Sequence, residues 1–170
     1  MLFRSKSDEF LASGQEHETD SDDRVRLILR SVRLFRSLSA RDLERVNEWT
    51  KIVRFAAGDM VLREGDVGEF LYVVLAGELD VFAMDDDGKL VIISKHTKGQ
   101  YVGEQALLPD GTDRHDLSVR AATNATLVRV ARRHFQAIVK HDAKLLLALK
   151  VLGEAREKKK LEAIGRGEDW

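Results

Sequence analysis

The sequence predicts a mainly β fold: an antiparallel β roll, jelly-roll-like in the manner of a double-stranded β-helix, with helices before it and a lid helix after it. Three observations predict this. Apolar residues recur at helical spacing between Val25 and Trp49. From Lys51 to Val130 the period shortens and glycines punctuate it. Helical spacing then returns near Arg132. Short strands broken by glycine turns suit a small closed or rolled antiparallel unit.

Residues 1–20 are polar and acidic with little periodicity, and read as a flexible arm in which only Phe3 and Phe10 could dock. The stretch SDDRVRLILRSVRLF places Val25, Ile28, Leu29 and Val32 on one helical face behind a Ser/Asp start signal. In SLSARDLERVNEWT, Ser39 precedes Asp42 by three, a capping-box spacing, with Leu43, Val46 and Trp49 as the apolar face. KIVRFAAGDMVLREGD ends in a turn at Glu64-Gly65-Asp66. FLYVVLAGELDVFAMDDDGKLVIISK reads as strand, bend at Gly77, strand, Asp87-Gly88 hairpin, strand. ATLVRVARRHF supplies another strand carrying Leu127 and Val130. Beyond it, Phe135, Ile138 and Val139 are helical, and Leu145, Leu149 and Leu152 share a stripe that Leu146 and Leu147 widen. That stripe is a core face first, and a lid or dimer seam second. Glu154 and Lys158 form a favourable i,i+4 pair.

Apolar residues make up 44% of the 170 and charged residues 34%, enough for a core and a solvated surface. The formal net charge of −1 argues against nucleic-acid or membrane binding through an overall field. The absence of cysteine removes disulfides and thiolate metal sites. No stretch resembles a signal peptide or the ~18 apolar residues of a membrane span, so a cytoplasmic location is expected.

One stretch carries chemistry: GQYVGEQALLPDGTDRHDLSVRA, Gly99 to Ala121. A short apolar helix opening after Gly103-Glu104 would present unpaired backbone N–H groups suited to a phosphate. Arg114, ten residues after Glu104, could add a charge-assisted bond to the same group. Glu104 is an acceptor suited to a sugar hydroxyl. An anion and a hydroxyl bound side by side describe a nucleotide with a ribose phosphate.

FAAGDMVLREGDVGEFLYVVLAGELDVF, followed by VGEQALLPDGTDR and VRAATNATLVRVARRHF, resembles the cyclic nucleotide-binding domain family. The likeness runs from about Val25 to Leu152 and rests on Gly58, Gly65, Gly77 and Gly103 with the Gly-Glu…Arg cassette. The Glu-to-Arg separation resembles the bacterial catabolite activator branch. The resemblance implies that Gly103 and the amides of Gln105, Ala106 and Leu107 hold a cyclic phosphate with Arg114. It implies that Glu104 binds the ribose 2′-hydroxyl, that Val119 and Leu71 contact the base, and that the C-terminal helix covers it. His115 adjoins the phosphate side. The implied ligand is cAMP or cGMP, with no metal or other cofactor.

Two departures accompany the likeness. His115-Asp116-Leu117-Ser118 makes the run after the arginine one residue longer than the family pattern, and Asp116 brings an acid toward the anion's place. Gln105 stands where a leucine is usual. Only 18 residues follow Leu152, too few for a DNA-binding winged helix, so no nucleic-acid partner is expected.

The expected organisation is an arm at 1–20, the nucleotide-binding domain at 21–153 and a helical extension at 154–170. The expected function is sensing cAMP or cGMP and signalling to an effector protein by movement of the C-terminal helix, with a homodimer through that helix as a further option. Two other readings stay open: a degenerate roll serving only as a protein-interaction module, and a cupin-type metalloenzyme. The scattered His96, His115, His134 and His141 weigh against the cupin. No nucleophile–base pair or Gly-Lys-Ser/Thr loop is recognisable, so no enzymatic role is expected. Asp85-Asp86-Asp87-Gly88 resembles the start of a calcium loop but lacks its later glutamate, and reads as a hairpin. Lys158-Lys159-Lys160 reads as a solvated helix face.

Overall fold

A computed structural model describes residues 18–104 and 114–165. Helix α1 (Glu18–Ser31) and a 3-10 turn (Arg33–Phe35) precede α2 (Ala40–Glu48). Eight strands follow: β1 (Thr50–Phe55), β2 (Met60–Leu62), β3 (Phe70–Ala76), β4 (Leu79–Met84), β5 (Leu90–His96), β6 (Tyr101–Val102), β7 (Ser118–Ala121) and β8 (Ala125–Ala131). Helices α3 (Arg132–Val139) and α4 (Ala143–Gly165) complete the described chain. The strands form two antiparallel four-stranded sheets, ordered β1-β8-β3-β6 and β2-β7-β4-β5.

The local signals act where the sequence places them. Ser39 caps α2, its side chain accepting from the Asp42 amide at 3.1 Å. Asp85 closes the β4–β5 hairpin, its Oδ1 accepting from the amides of Asp87 and Lys89 at 3.0 and 2.7 Å. The acidic run is thus turn chemistry. The C-terminal helical region divides in two because Asp142 starts a new helix, its carboxylate accepting from Leu145 N at 2.9 Å. Helix α1 begins three residues before the expected end of the arm, and α4 runs unbroken through Gly153-Glu154.

The first sheet is buried on both faces. Leu71, Val73 and Leu75 of β3, with Val128 and Val130 of β8, pack under the helices against Leu29, Phe35 and Phe135. Their alternates, Tyr72, Val74, Ala125 and Leu127, face the second sheet and meet Leu79, Val81 and Val119. Leu145 and Leu149 have 0% exposure in the helix-side cluster, with Leu152 packed against it. The leucine stripe is therefore core, and is not the seam between copies. Leu147 lies off the stripe at 63% exposure.

Leu149→Ala should destabilise the protein by about 2–5 kcal/mol. Leu147→Ala should stay within about 0.5 kcal/mol of wild type. Urea unfolding checks both, and equal losses at the two positions would contradict this packing of α4.

Candidate functional site

Gly103 ends β6 at φ +92°, and a Cβ there would lie 2.6 Å from the Phe70 carbonyl oxygen. Only glycine lets the chain press against β3 at this point and turn Glu104 inward. Glu104 is 1% exposed. It lines a cavity of about 30 Å³ between the sheets, together with Gly103, His115, Asp116 and Val119. Leu62 and His115 form the wall between this cavity and a second one of about 240 Å³ under the β2–β3 turn, where Phe70 and Tyr72 stand.

Arg114 adjoins His115 and turns toward Gly65. Its Nη1 donates to the Gly65 carbonyl at 2.7 Å, and its backbone forms an antiparallel bridge with Val67. The next residue completes the strap: His115 N donates to Asp66 O at 2.9 Å, and Gly65 N donates to His115 O at 2.8 Å. The Glu64-Gly65-Asp66 turn and the segment leading into β7 are thereby fixed together.

His115, Leu117 and Val119 alternate inward, so the period of β7 extends back through the extra residue. Burial holds the His115 imidazole below its ordinary pKa of 6.5, opposed by the charges of Asp116 and Asp66. Burial thus favours the neutral ring, which lines the cavity together with Glu104.

Of the expected site residues, Gly103, Glu104, His115 and Val119 come together around the cavity, while Arg114, next to His115, turns its guanidinium to the Gly65 carbonyl. Gln105, Ala106 and Leu107 lie outside the described residues. Leu71 requires correction. It points under the helices, because a residue one step out of phase on β3 faces the opposite side of the sheet. Phe70 and Tyr72 are the β3 residues that line the second cavity.

Lys160 also requires correction. It is not a solvated lysine: its side chain is 16% exposed. Its Nζ donates to the Asp116 carbonyl at 2.7 Å and lies 3.8 Å from Glu64 Oε1. Beyond it, Ala163 and Ile164 pack on the inter-sheet cluster. The signal was present in the sequence, since Lys160 continues the spacing of Leu145, Leu149 and Leu152 toward Ala163. The last turns of α4 thus rest on the roll beside the site.

A two-sheet roll with a buried carboxylate at a glycine turn, and an arginine strapped to the β2–β3 turn, defines a nucleotide-binding regulatory class of domain. The profile of the cyclic nucleotide-binding domain matches residues 52–142, just over half of the chain. The chain belongs to the cyclic nucleotide-binding domain family. It is 38% identical over 82 residues to a cAMP-dependent protein kinase regulatory subunit from Blastocladiella emersonii, covering 48% of this chain and 20% of that protein. The fold is similar to the regulatory domain of Toxoplasma gondii protein kinase A crystallised with cAMP, at TM-score 0.67 and 31% identity over 72% of this chain and 46% of that one. It is also similar to the regulatory subunit of a cAMP-independent protein kinase A from Trypanosoma brucei, at TM-score 0.65 and 26% identity over 81% and 49% of the two chains. The chain spans about a fifth of the curated relative and under half of either solved chain. Among the described residues, no helix is long and apolar enough to cross a membrane.

Gly103→Ala should cost roughly 1–3 kcal/mol, because the left-handed backbone and the Phe70 carbonyl both oppose a Cβ. The His115 shift has a defined sign. The unfolded chain binds a proton near pH 6.5 while the folded one resists it, so stability falls as pH drops through that value. His115→Asn should lessen the fall. Denaturation midpoints at about pH 7.5 and about pH 5.5 measure this, and identical slopes for wild type and variant would count against a buried neutral ring.

Proposed function

We propose that this chain is a sensor of cyclic nucleotide, cAMP before cGMP, that reports occupancy to an effector protein through α4. The observation that carries the reading is the placement of Glu104 and Arg114. The first is a buried carboxylate on the cavity wall. The second is a guanidinium bonded to the Gly65 carbonyl, beside the cavity-lining His115 and joined by a backbone strap to the turn before β3. Glu104 can accept from a ribose hydroxyl, and Arg114 can donate to the cyclic phosphate. The amides from Gly103 to Leu107 would complete the phosphate site, a role that rests on the family resemblance. Val119 and Tyr72 are placed to contact the base. The similarity to a cAMP-dependent kinase subunit, and to a domain crystallised with cAMP, supports the ligand class.

A cavity of about 30 Å³ is far smaller than the roughly 300 Å³ or more of a small-molecule site. A ligand must therefore move a wall, and His115 and Leu62 separate the cavity from the larger one beside it. The wall segment Asp116 is the one Lys160 holds. Displacement on binding would reach α4 through that bond, which gives the helix a reason to respond. The extent of the regulatory domain, 21–153 with a helical arm beyond, is part of the same proposal.

One observation favours a second reading. Asp116 is among the residues lining the cavity, and a carboxylate brought within a few ångströms of a cyclic phosphate would repel it by about 1–4 kcal/mol at intermediate screening. The fold is also similar to a subunit described as cAMP-independent. On this reading the roll is an interaction module that has lost its nucleotide.

Thermal melting separates the two readings. Ligand at about 100 times its dissociation constant adds about 2.7 kcal/mol of stability. No shift with millimolar cAMP, cGMP or cyclic dinucleotides would leave the interaction module. With binding in hand, Arg114→Ala should cost about 1.5–3 kcal/mol. Glu104→Ala should weaken cAMP while barely changing 2′-deoxy-cAMP, and equal losses for the two ligands would make Glu104 structural.

A further inference from the structure

Helices α1 and α2 enclose a cavity of about 190 Å³ that the nucleotide reading does not use. Arg26, Leu29 and Arg30 line it from α1, and Leu43, Glu44 and Asn47 line it from α2. Both sets follow the three-and-four spacing of one helix face, so the cavity is a groove between two facing stripes. Leu29 has 0% exposure and Leu43 packs on the helix-side core, which makes the groove apolar at its base. Ala40, also on the lining, contributes only a methyl group.

Two polar groups in this groove lack partners. Asn47 Oδ1 is buried and accepts no hydrogen bond. An acceptor left dry in this way is destabilising, and a donor placed beside it is correspondingly favoured. Arg30 is exposed and forms no ion pair among the described residues. Arg26, by contrast, joins the two helices through Glu44 at 2.8 Å. The surroundings are cationic: residues 24–45 hold seven arginines against Asp42 and Glu44.

We propose that this groove binds a peptide segment of another protein in which an apolar residue stands next to an acidic one. The apolar side chain enters between Leu29 and Leu43. A backbone N–H donates to Asn47 Oδ1, and the neighbouring carboxylate pairs with Arg30. The three requirements together select a peptide. A phosphate or sulfate dianion has no proton for the Asn47 oxygen and no apolar part for the leucines. A nucleic-acid backbone fails on the same two counts and would also meet Glu44. The groove lies on the helix side of the first sheet, apart from Glu104 and Lys160, so the inference is independent of what the inter-sheet cavity takes.

The test pans a phage-displayed library of random peptides on the full chain. Recovered sequences should carry Asp or Glu beside a large apolar residue, and synthetic copies should bind in fluorescence anisotropy. Added salt should weaken them, and Arg30→Glu should weaken them by roughly tenfold or more. Ala40→Leu, which fills the groove, should abolish binding. Asn47→Leu should weaken binding roughly fivefold while the melting temperature of the free chain holds or rises, because the dry acceptor is gone. A purely structural asparagine would show the reverse. Failure to enrich any sequence, enrichment of sequences without acids, or binding that survives Ala40→Leu overturns the proposal. If peptides bind only after Phe10→Ala, the groove belongs to the chain's own N-terminal residues. If Ala40→Leu instead removes self-association in sedimentation, the groove belongs to a second copy. Either result also overturns it. Circular dichroism of each variant excludes unfolding as the cause of lost binding.

Discussion

The pairing of β3 with β8 is the constraint on which the rest of the molecule depends. These two strands are buried on both faces, and successive residues belong to different cores. Leu71, Val73 and Leu75 support the helices, while Tyr72 and Val74 help wall the inter-sheet space. One sheet thereby fixes the helices on one side and the cavity on the other. A slip of one residue would exchange the two sets and disrupt both at once. Gly103 joins this pair through β6, and its close approach to Phe70 is what places Glu104 in the interior.

Features set by neighbouring residues were legible in the sequence. The Ser39 cap, the Asp85–Gly88 hairpin and the glycine turns each depend on a few consecutive positions. The Glu104–Arg114 cassette is read for a related reason: its residue types stand at a fixed spacing in the sequence. What escaped was decided by faces and by distant contacts. Leu71 and Tyr72 are equally apolar neighbours, and only the register with β8 assigns one to the helices and the other to the cavity. The run after Arg114 read only as longer than the family pattern, yet strand alternation continues back through Leu117 to bury His115. Lys160 sits in a run of three lysines, and only its helical phase with Leu145, Leu149 and Leu152 distinguishes it from Lys158. Its role comes from the Asp116 carbonyl, 44 positions earlier.

Helix α4 joins these levels. Its first half is an ordinary core helix, anchored by Leu145 and Leu149. Its second half rests on the roll through Lys160, Ala163 and Ile164, next to the segment that follows Arg114. The extra residue after Arg114 and the buried lysine are therefore neighbours in space. Asp116 offers its carbonyl to Lys160 and is among the residues that line the cavity.

The strap between Arg114 and Gly65 spans 49 positions of sequence, and the Lys160 contact spans 44. Closing loops of that length costs chain entropy before any contact offsets it. The hairpins and helix caps can form early, whereas the two sides of the site can meet only once both sheets are in place. The site is thus a late-assembled part of the fold. A ligand held there would stabilise interactions absent from the folding transition state, so it would slow unfolding while leaving the folding rate nearly unchanged.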